Sequence, residues 1–223
     1  MGAPPGRIRT ADAASGSCEK GPRSALPRGG RAGARGFTLL ELMIVVVVAA
    51  ILLAIGVPFF GEFARNNRLT ATANDFLSAA QLSRTEAIKR QQVVSICASA
   101  NPGAGAAAAC SGGEFSGWIV FLDPDSDCSR AAGEPIIATG GVDHGSVLAR
   151  ANGACASFSA AGFAVARAPG VEVDRLLFCD RRGTALQAGT DRTTARGIVL
   201  TRAGRPALTR DADVIATWGF GCP

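Results

Sequence analysis

The sequence predicts an α+β chain in which one long N-terminal helix, apolar in its first half and amphipathic in its second, packs on a C-terminal antiparallel β-sheet domain. Three observations carry this. From Phe37 to Phe60 the chain runs 24 residues with a single charge, Glu41. Beyond it Leu69, Ala73, Phe76, Leu77 and Ala80 recur at three- and four-residue spacing, an apolar stripe one helix face wide. From Gln91 onward short apolar runs are broken by Gly, Pro and Asp, with no helical periodicity and linkers too short for crossover helices. The 223 residues include 28 Gly and are 48% apolar, which suits a part rich in turns and strands and not a disordered chain.

Residues 1–36 are rich in Gly, Ala, Pro and Arg without hydrophobic periodicity, and read as a processed lead-in outside the fold. Such a lead-in is long, and a start codon placed too early is one expectation. It holds seven of the 23 bases and two of the 18 acids, so the whole formal charge of +5 belongs to it and the remainder is neutral. By the positive-inside rule this basic segment stays cytoplasmic and the bulk of the chain lies outside. The charge gives no argument for nucleic acid.

Residues 37–60 form the apolar half of the helix. At about 1.5 Å per residue they span roughly 36 Å, enough for a bilayer core of about 30 Å. Glu41 is the odd feature, because an acid at the bilayer centre costs about 2.5–3.5 kcal/mol and needs a partner. A cut between Gly36 and Phe37 would supply one, the new α-amino group of Phe37. The bland alternative is a plain single-pass anchor with an incidental acid. Residues 61–90 form the amphipathic half, with Arg65, Arg68, Arg84, Lys89 and Arg90 around the stripe. The stripe is expected to be a core face and not a groove for a partner. Pro58 removes one helical hydrogen bond and is expected to kink or loosen the rod.

Residues 91–223 form the globular β-rich part, expected outside the cytoplasm. Strands are expected at Val93–Ala98, Trp118–Leu122, Ile136–Ala138, Leu176–Cys179, Gly197–Thr201 and Val214–Trp218, with more near Phe158 and Phe163, in two small sheets beside the helix. Asn101–Ala109 (NPGAGAAAA) is a low-complexity loop expected to be mobile. Cys18 falls in the lead-in. The six others, Cys97, Cys110, Cys128, Cys155, Cys179 and Cys222, favour disulfides in an exported domain. Cys97–Cys110 is favoured as a local closure and Cys179–Cys222 less strongly, with the connectivity otherwise open. No Cys/His spacing fits zinc.

The run Gly36-Phe37-Thr38-Leu39-Leu40-Glu41 before an apolar helix resembles the class III signal of type IV pilins and type II secretion pseudopilins. That resemblance implies cleavage after Gly36 by prepilin peptidase, N-methylation of Phe37, and a role for Glu41 in assembly. Pro58 also falls where pilins commonly carry proline. The segments LSRTEAIKRQQVVSIC (Leu82–Cys97), GWIVFLD (Gly117–Asp123), GEPII (Gly133–Ile137), FSAAG (Phe158–Gly162), FCD (Phe178–Asp180) and GIVLTRAGRP (Gly197–Pro206) follow in order. Together they resemble the type II secretion protein H / FimT branch of minor pseudopilins, across most of residues 36–210. The resemblance implies a pilin-like fold, inner-membrane anchoring and assembly at the tip of a pseudopilus or pilus. The implied partners are prepilin peptidase, other pilin or pseudopilin subunits, the assembly platform and membrane lipid.

Two further chemistries can be read from the residues. Asp123, Asp125 and Asp127 with Glu134 mimic an EF-hand spacing for calcium, but Cys128 stands where the sharp turn needs Gly and a strand precedes it. A solvated acidic turn is the favoured reading, and no cofactor is expected. Arg192, Arg196, Arg202, Arg205 and Arg210 fall in a stretch without an acid. Some FimT-type pilins bind DNA through a Gly-Arg-x-Arg element. Here Gly204-Arg205 matches but Pro206 and Ala207 follow, so Arg202, Arg205 and Arg210 are the candidate phosphate contacts, against a solvated strand edge. Catalysis is not expected: His144, the only histidine, lies in a Gly-rich loop with Asp143 and Ser146, and nothing in the spacing makes a triad.

Overall fold

The computed structural model describes residues 36–111, 115–142, 146–166 and 174–222, the side chains of residues 58 and 59 excepted. Residues 1–35 of the lead-in, Asp143 and His144 lie outside the described residues. Helix α1 runs unbroken from Leu39 to Arg90. Then follow β1 (Val94–Ser99), β2 (Gly117–Leu122), β3 (Ile136–Gly141), β4 (Leu148–Ala151), β5 (Cys155–Phe158), β6 (Arg175–Cys179), β7 (Arg192–Leu200), β8 (Pro206–Asp211) and a short α2 (Ala212–Ala216). The chain divides into two units within α1, one ending at Val47 and one running from Val48 to Pro223.

In the first unit the side chains from Phe37 to Val47 are exposed. In the second, α1 changes character after Phe63. Leu69, Thr72, Ala73, Phe76, Ala79, Ala80, Ser83, Glu86 and Ala87 are buried, alternating three- and four-residue steps as a core-facing stripe does. The helix stops where Gln91 takes a positive φ of 54° and Gln92 N donates to Ala87 O, a left-handed C-terminal cap.

Two four-stranded antiparallel sheets pack on that stripe, ordered β3-β2-β1-β5 and β4-β6-β7-β8. Val94, Ile96, Trp118, Val120 and Phe158 of the first sheet share one core with Leu176, Phe178, Ile198 and Leu200 of the second and with the α1 stripe. Phe76 stands at the junction. Its ring meets Trp118 of β2 at 5.3 Å and Phe178 of β6 at 6.0 Å, both edge-on, and Phe115 at 6.0 Å. The Trp118 indole lies across Gly140 of β3, where a Cβ would stand 2.2 Å from it.

The opposite faces are covered as well. On the first sheet Cys97, Ile119, Phe121 and Cys155 lie under Ala108, Cys110 and Cys128 from two loops. On the second, Leu177, Cys179 and Ala195 lie under Ile215, Trp218, Phe220 and Cys222 of α2 and the tail. Each cover is tied to a strand by a disulfide: Cys97–Cys110, Cys128–Cys155 and Cys179–Cys222. Two of these are the pairs that the sequence favours.

Three local expectations need correction. Val214–Trp218 is not a strand; most of it lies in α2, because Asp211 caps a helix by accepting from Asp213 N and Val214 N. The strands β4 and β8 escape the apolar-run pattern because both are sheet edges with half their residues towards solvent. The Asn101–Ala109 run is tied down. Asn101 bonds Ala107 O and Ala109 N, and Arg130 Nη1 donates to Ala106 O at 2.6 Å and Ala108 O at 3.0 Å.

Truncating the junction residue tests this packing. Phe76→Ala is expected to cost about 3–5 kcal/mol in denaturant unfolding of the full chain in detergent. Leu82→Ala, on the exposed face of the same helix, is expected to stay within about 0.5 kcal/mol.

Candidate functional site

The N-terminal motif has a defined geometry. Thr38 precedes the first helical residue, and its Oγ1 accepts from Glu41 N at 3.1 Å. Glu41 Oε2 in turn accepts from Thr38 N at 3.5 Å. This is a capping box, which meets two of the donors that a helix start leaves unpaired. The Thr-x-x-Glu signal is plain in the sequence, beside the resemblance from which a role in assembly is expected for Glu41. Phe37 is 77% exposed, and a Cβ added at Gly36 would meet nothing within 4 Å. Packing therefore does not demand glycine at that position. From Leu39 to Phe60 every described side chain is exposed, an apolar surface that water does not favour.

The acidic turn is built differently from the expectation of a solvated loop. Asp123, at the end of β2, is fully buried and bonds Ser95 Oγ at 2.5 Å, Asp127 N at 3.1 Å and Cys128 N at 3.2 Å. Its carboxylate holds a turn in which Ser126 and Cys128 have positive φ, 60° and 65°. Cys128 thus adopts the backbone that the calcium-loop pattern reserves for glycine. Oxygens of Asp123, Asp125 and Glu134 lie within 4.8 Å of one another, whereas Asp127 stands outside that group and caps Ser129 N at 2.7 Å. These three residues could each offer one oxygen to a cation, but Asp123 is already engaged by the turn.

Glu134 is buried and accepts from Ala131 N at 2.8 Å. Burial pushes its carboxyl above the ordinary value of 4.5, and the charges of Asp125, Asp123 and Asp127 add to this against the bond from Ala131. A raised folded-state value gives stability that is present below 4.5 and lost as pH rises through the folded value.

The arginines from 192 to 210 differ in exposure. Arg196 is buried, donating to Thr194 O at 2.6 Å and to Thr70 Oγ1 on α1 at 3.2 Å. Burial, with help from Arg210 and Arg182, draws its guanidinium down to about 10. Arg210 is half-buried and donates to Thr193 O, while Arg202 and Arg205 are exposed. Gly204, the glycine of the partial Gly-Arg match, has a packing reason: its φ is +67° and a Cβ would stand 2.1 Å from Gly162 O. That same oxygen accepts from Arg84 Nε at 2.9 Å, which ties the FSAAG and TRAGR turns to α1.

One outcome follows for the turn. Glu134→Gln keeps an acceptor for Ala131 N and removes the buried charge, so it is expected to melt higher than wild type at neutral pH. The difference should shrink towards pH 4, where wild-type Glu134 is protonated. Thermal melts against pH check this, and a Gln variant that melts lower at neutral pH would contradict it.

A family model described as Type II transport protein GspH matches residues 72–204, and one described as Prokaryotic N-terminal methylation motif matches residues 31–57. Among solved structures, the type IV minor pilin FimU of Pseudomonas aeruginosa in one crystal form is 19% identical with a TM-score of 0.40, over 66% of this chain and 92% of that one. In a second crystal form the figures are 18%, 0.39, 63% and 92%. No curated protein sequence matches. The GspH match covers more than half of the chain, from the α1 stripe to the turn after β7, and this chain belongs to the GspH family of pilin-like minor pseudopilins.

Proposed function

We propose that the chain is the precursor of a minor pseudopilin or minor pilin, inserted in the bacterial inner membrane and cut after Gly36 by prepilin peptidase. Phe37 then becomes the methylated N-terminus. The domain stands in the periplasm, and the subunit joins the tip of a pseudopilus or pilus through contacts with other subunits and the assembly platform. One observation carries this reading: Gly36-Phe37-Thr38-Leu39-Leu40-Glu41 stands at the head of an exposed apolar helix, where a methylation motif matches. The basic lead-in before a neutral remainder supports the orientation. Three disulfides suit an oxidising compartment. Its role is structural and not catalytic.

Glu41 is the assembly residue in this account. Its carboxylate pairs with the α-amino group of Phe37, on its own or a neighbouring subunit, and cancels two charges that are each costly in an apolar filament core. The capping box survives the cut, since Thr38 stays in the mature chain, so capping and charge pairing can be separated. Glu41→Gln preserves the box but removes the charge; Glu41→Ala and Glu41→Val remove both. All three are expected to be cleaved normally while incorporation into filaments falls by roughly tenfold or more. If Gln incorporates like wild type, the charge-pairing role is wrong and capping suffices.

A further inference from the structure

The domain carries a basic cavity that neither the assembly motif nor the fold requires. It measures about 490 Å³ and is walled by Arg65 and Arg68 of α1, Arg181 after β6, and the apolar Ala64 and Leu148. Asp180 is the one acid among its described lining residues, and it is already neutralised. It is buried, and Arg182 holds both its oxygens, from Nε at 3.0 and 2.9 Å and from Nη2 at 2.6 Å. Arg182 Nη2 also donates to Asn66 Oδ1 at 2.8 Å, so that pair is locked to α1. Arg196 adds a further buried cation nearby without a carboxylate of its own among the described residues. The cluster therefore holds more positive charge than it can pair internally.

A second observation asks for an acceptor at the same place. Arg65 Nε is buried and has no hydrogen-bond partner. A desolvated donor left unpaired costs about 1–3 kcal/mol, more when charged, and is normally met by a protein group, a water or a ligand. Arg65 lies back over Gly61, its Nη1 3.8 Å from where a Cβ would stand, so the guanidinium points one turn towards the apolar half of α1. Arg68 Nη1 is held towards Ser146 Oγ at 3.0 Å. Arg65 and Arg68 follow Phe63, the last exposed large apolar residue before the core-facing stripe, by about 3 and 7.5 Å along the helix axis. The polar layer on each side of a bilayer core is roughly 5–8 Å deep. The cavity thus lies at headgroup depth.

We propose that this cavity takes the phosphate of an anionic phospholipid, held by Arg65, Arg68 and Arg181. Guanidinium forks bind phosphate oxygens in pairs, and Arg65 Nε gains its missing acceptor. The apolar walls suit the glycerol edge of the lipid. The bound headgroup fixes the height of the domain above the membrane before the subunit is drawn into a filament. This inference rests on the anchored reading given above.

The test uses the full chain in detergent, with phosphatidylglycerol or phosphatidylcholine added and bound lipid counted by native mass spectrometry. Wild type is expected to retain phosphatidylglycerol in preference. The preference should fall by roughly fivefold in Arg181→Gln, whose side chain is exposed and whose loss leaves the core intact, and disappear in the triple Arg65→Gln, Arg68→Gln, Arg181→Gln variant. Inorganic phosphate at millimolar concentration should not displace the lipid. Equal retention of both lipids, an unchanged preference in Arg181→Gln, or full displacement by phosphate would overturn the lipid site alone. A chain that does not remain with vesicles of either composition would overturn the anchoring on which it rests.

Discussion

Burial against the second half of α1 is the constraint on which the domain depends. Neither four-stranded sheet can hide its apolar face by itself, and both turn that face to the same helical stripe. Phe76 is where the two meet, in contact with Trp118 of one sheet and Phe178 of the other. The alanines at 73, 79, 80 and 87 leave room for the strands to approach. The outer faces would otherwise be exposed, and each is closed by a segment with little structure of its own. A disulfide pins each such segment to β1, β5 or β6. Such cross-links restrict the unfolded chain, which matters most where a cover contributes few contacts.

One helix therefore meets two different surroundings. Through Phe60 its described side chains are exposed all round and, Glu41 apart, apolar; from Leu69 they are apolar on one face only. The change of pattern, from continuous to periodic, matches a change from lipid or filament core to a protein core. The arginines at 65 and 68 stand at that change, and charge there is inexpensive because water or headgroups are within reach. The apolar half and the core-facing half lie on one continuous helix. The charge at Glu41 and the packing at Phe76 belong to the same element.

Much of this was legible in the sequence because the relevant signals are strong. The apolar run, the three-and-four stripe and the Gly-Phe-Thr-Leu-Leu-Glu order each leave few readings. Strands β1, β2 and β6 are buried on both faces, so their apolar runs stand out. The edges β4 and β8 do not, since solvent on one side allows Arg150, Thr209 and Arg210 within them. The tail misled because Val214 and Ile215 look strand-like, while the deciding residue is the cap three places before Val214, Asp211. Charge was the weakest guide. Nothing local in the sequence marks Arg196 or Asp123 as buried, and each is held by a partner distant in sequence, Thr70 for one and Ser95 for the other. The basic cavity was invisible for the same reason: only the fold brings Arg181 to Arg65 and Arg68.

What the N-terminal motif does can be read from the mass of the mature protein. The intact mass of the membrane-extracted chain would be compared between cells with and without prepilin peptidase. A peptidase-dependent product that begins at methylated Phe37 is expected, with the full chain accumulating when the enzyme is missing. A chain that keeps its lead-in in both, or is cut elsewhere, would contradict it and reduce the apolar half of α1 to a plain anchor.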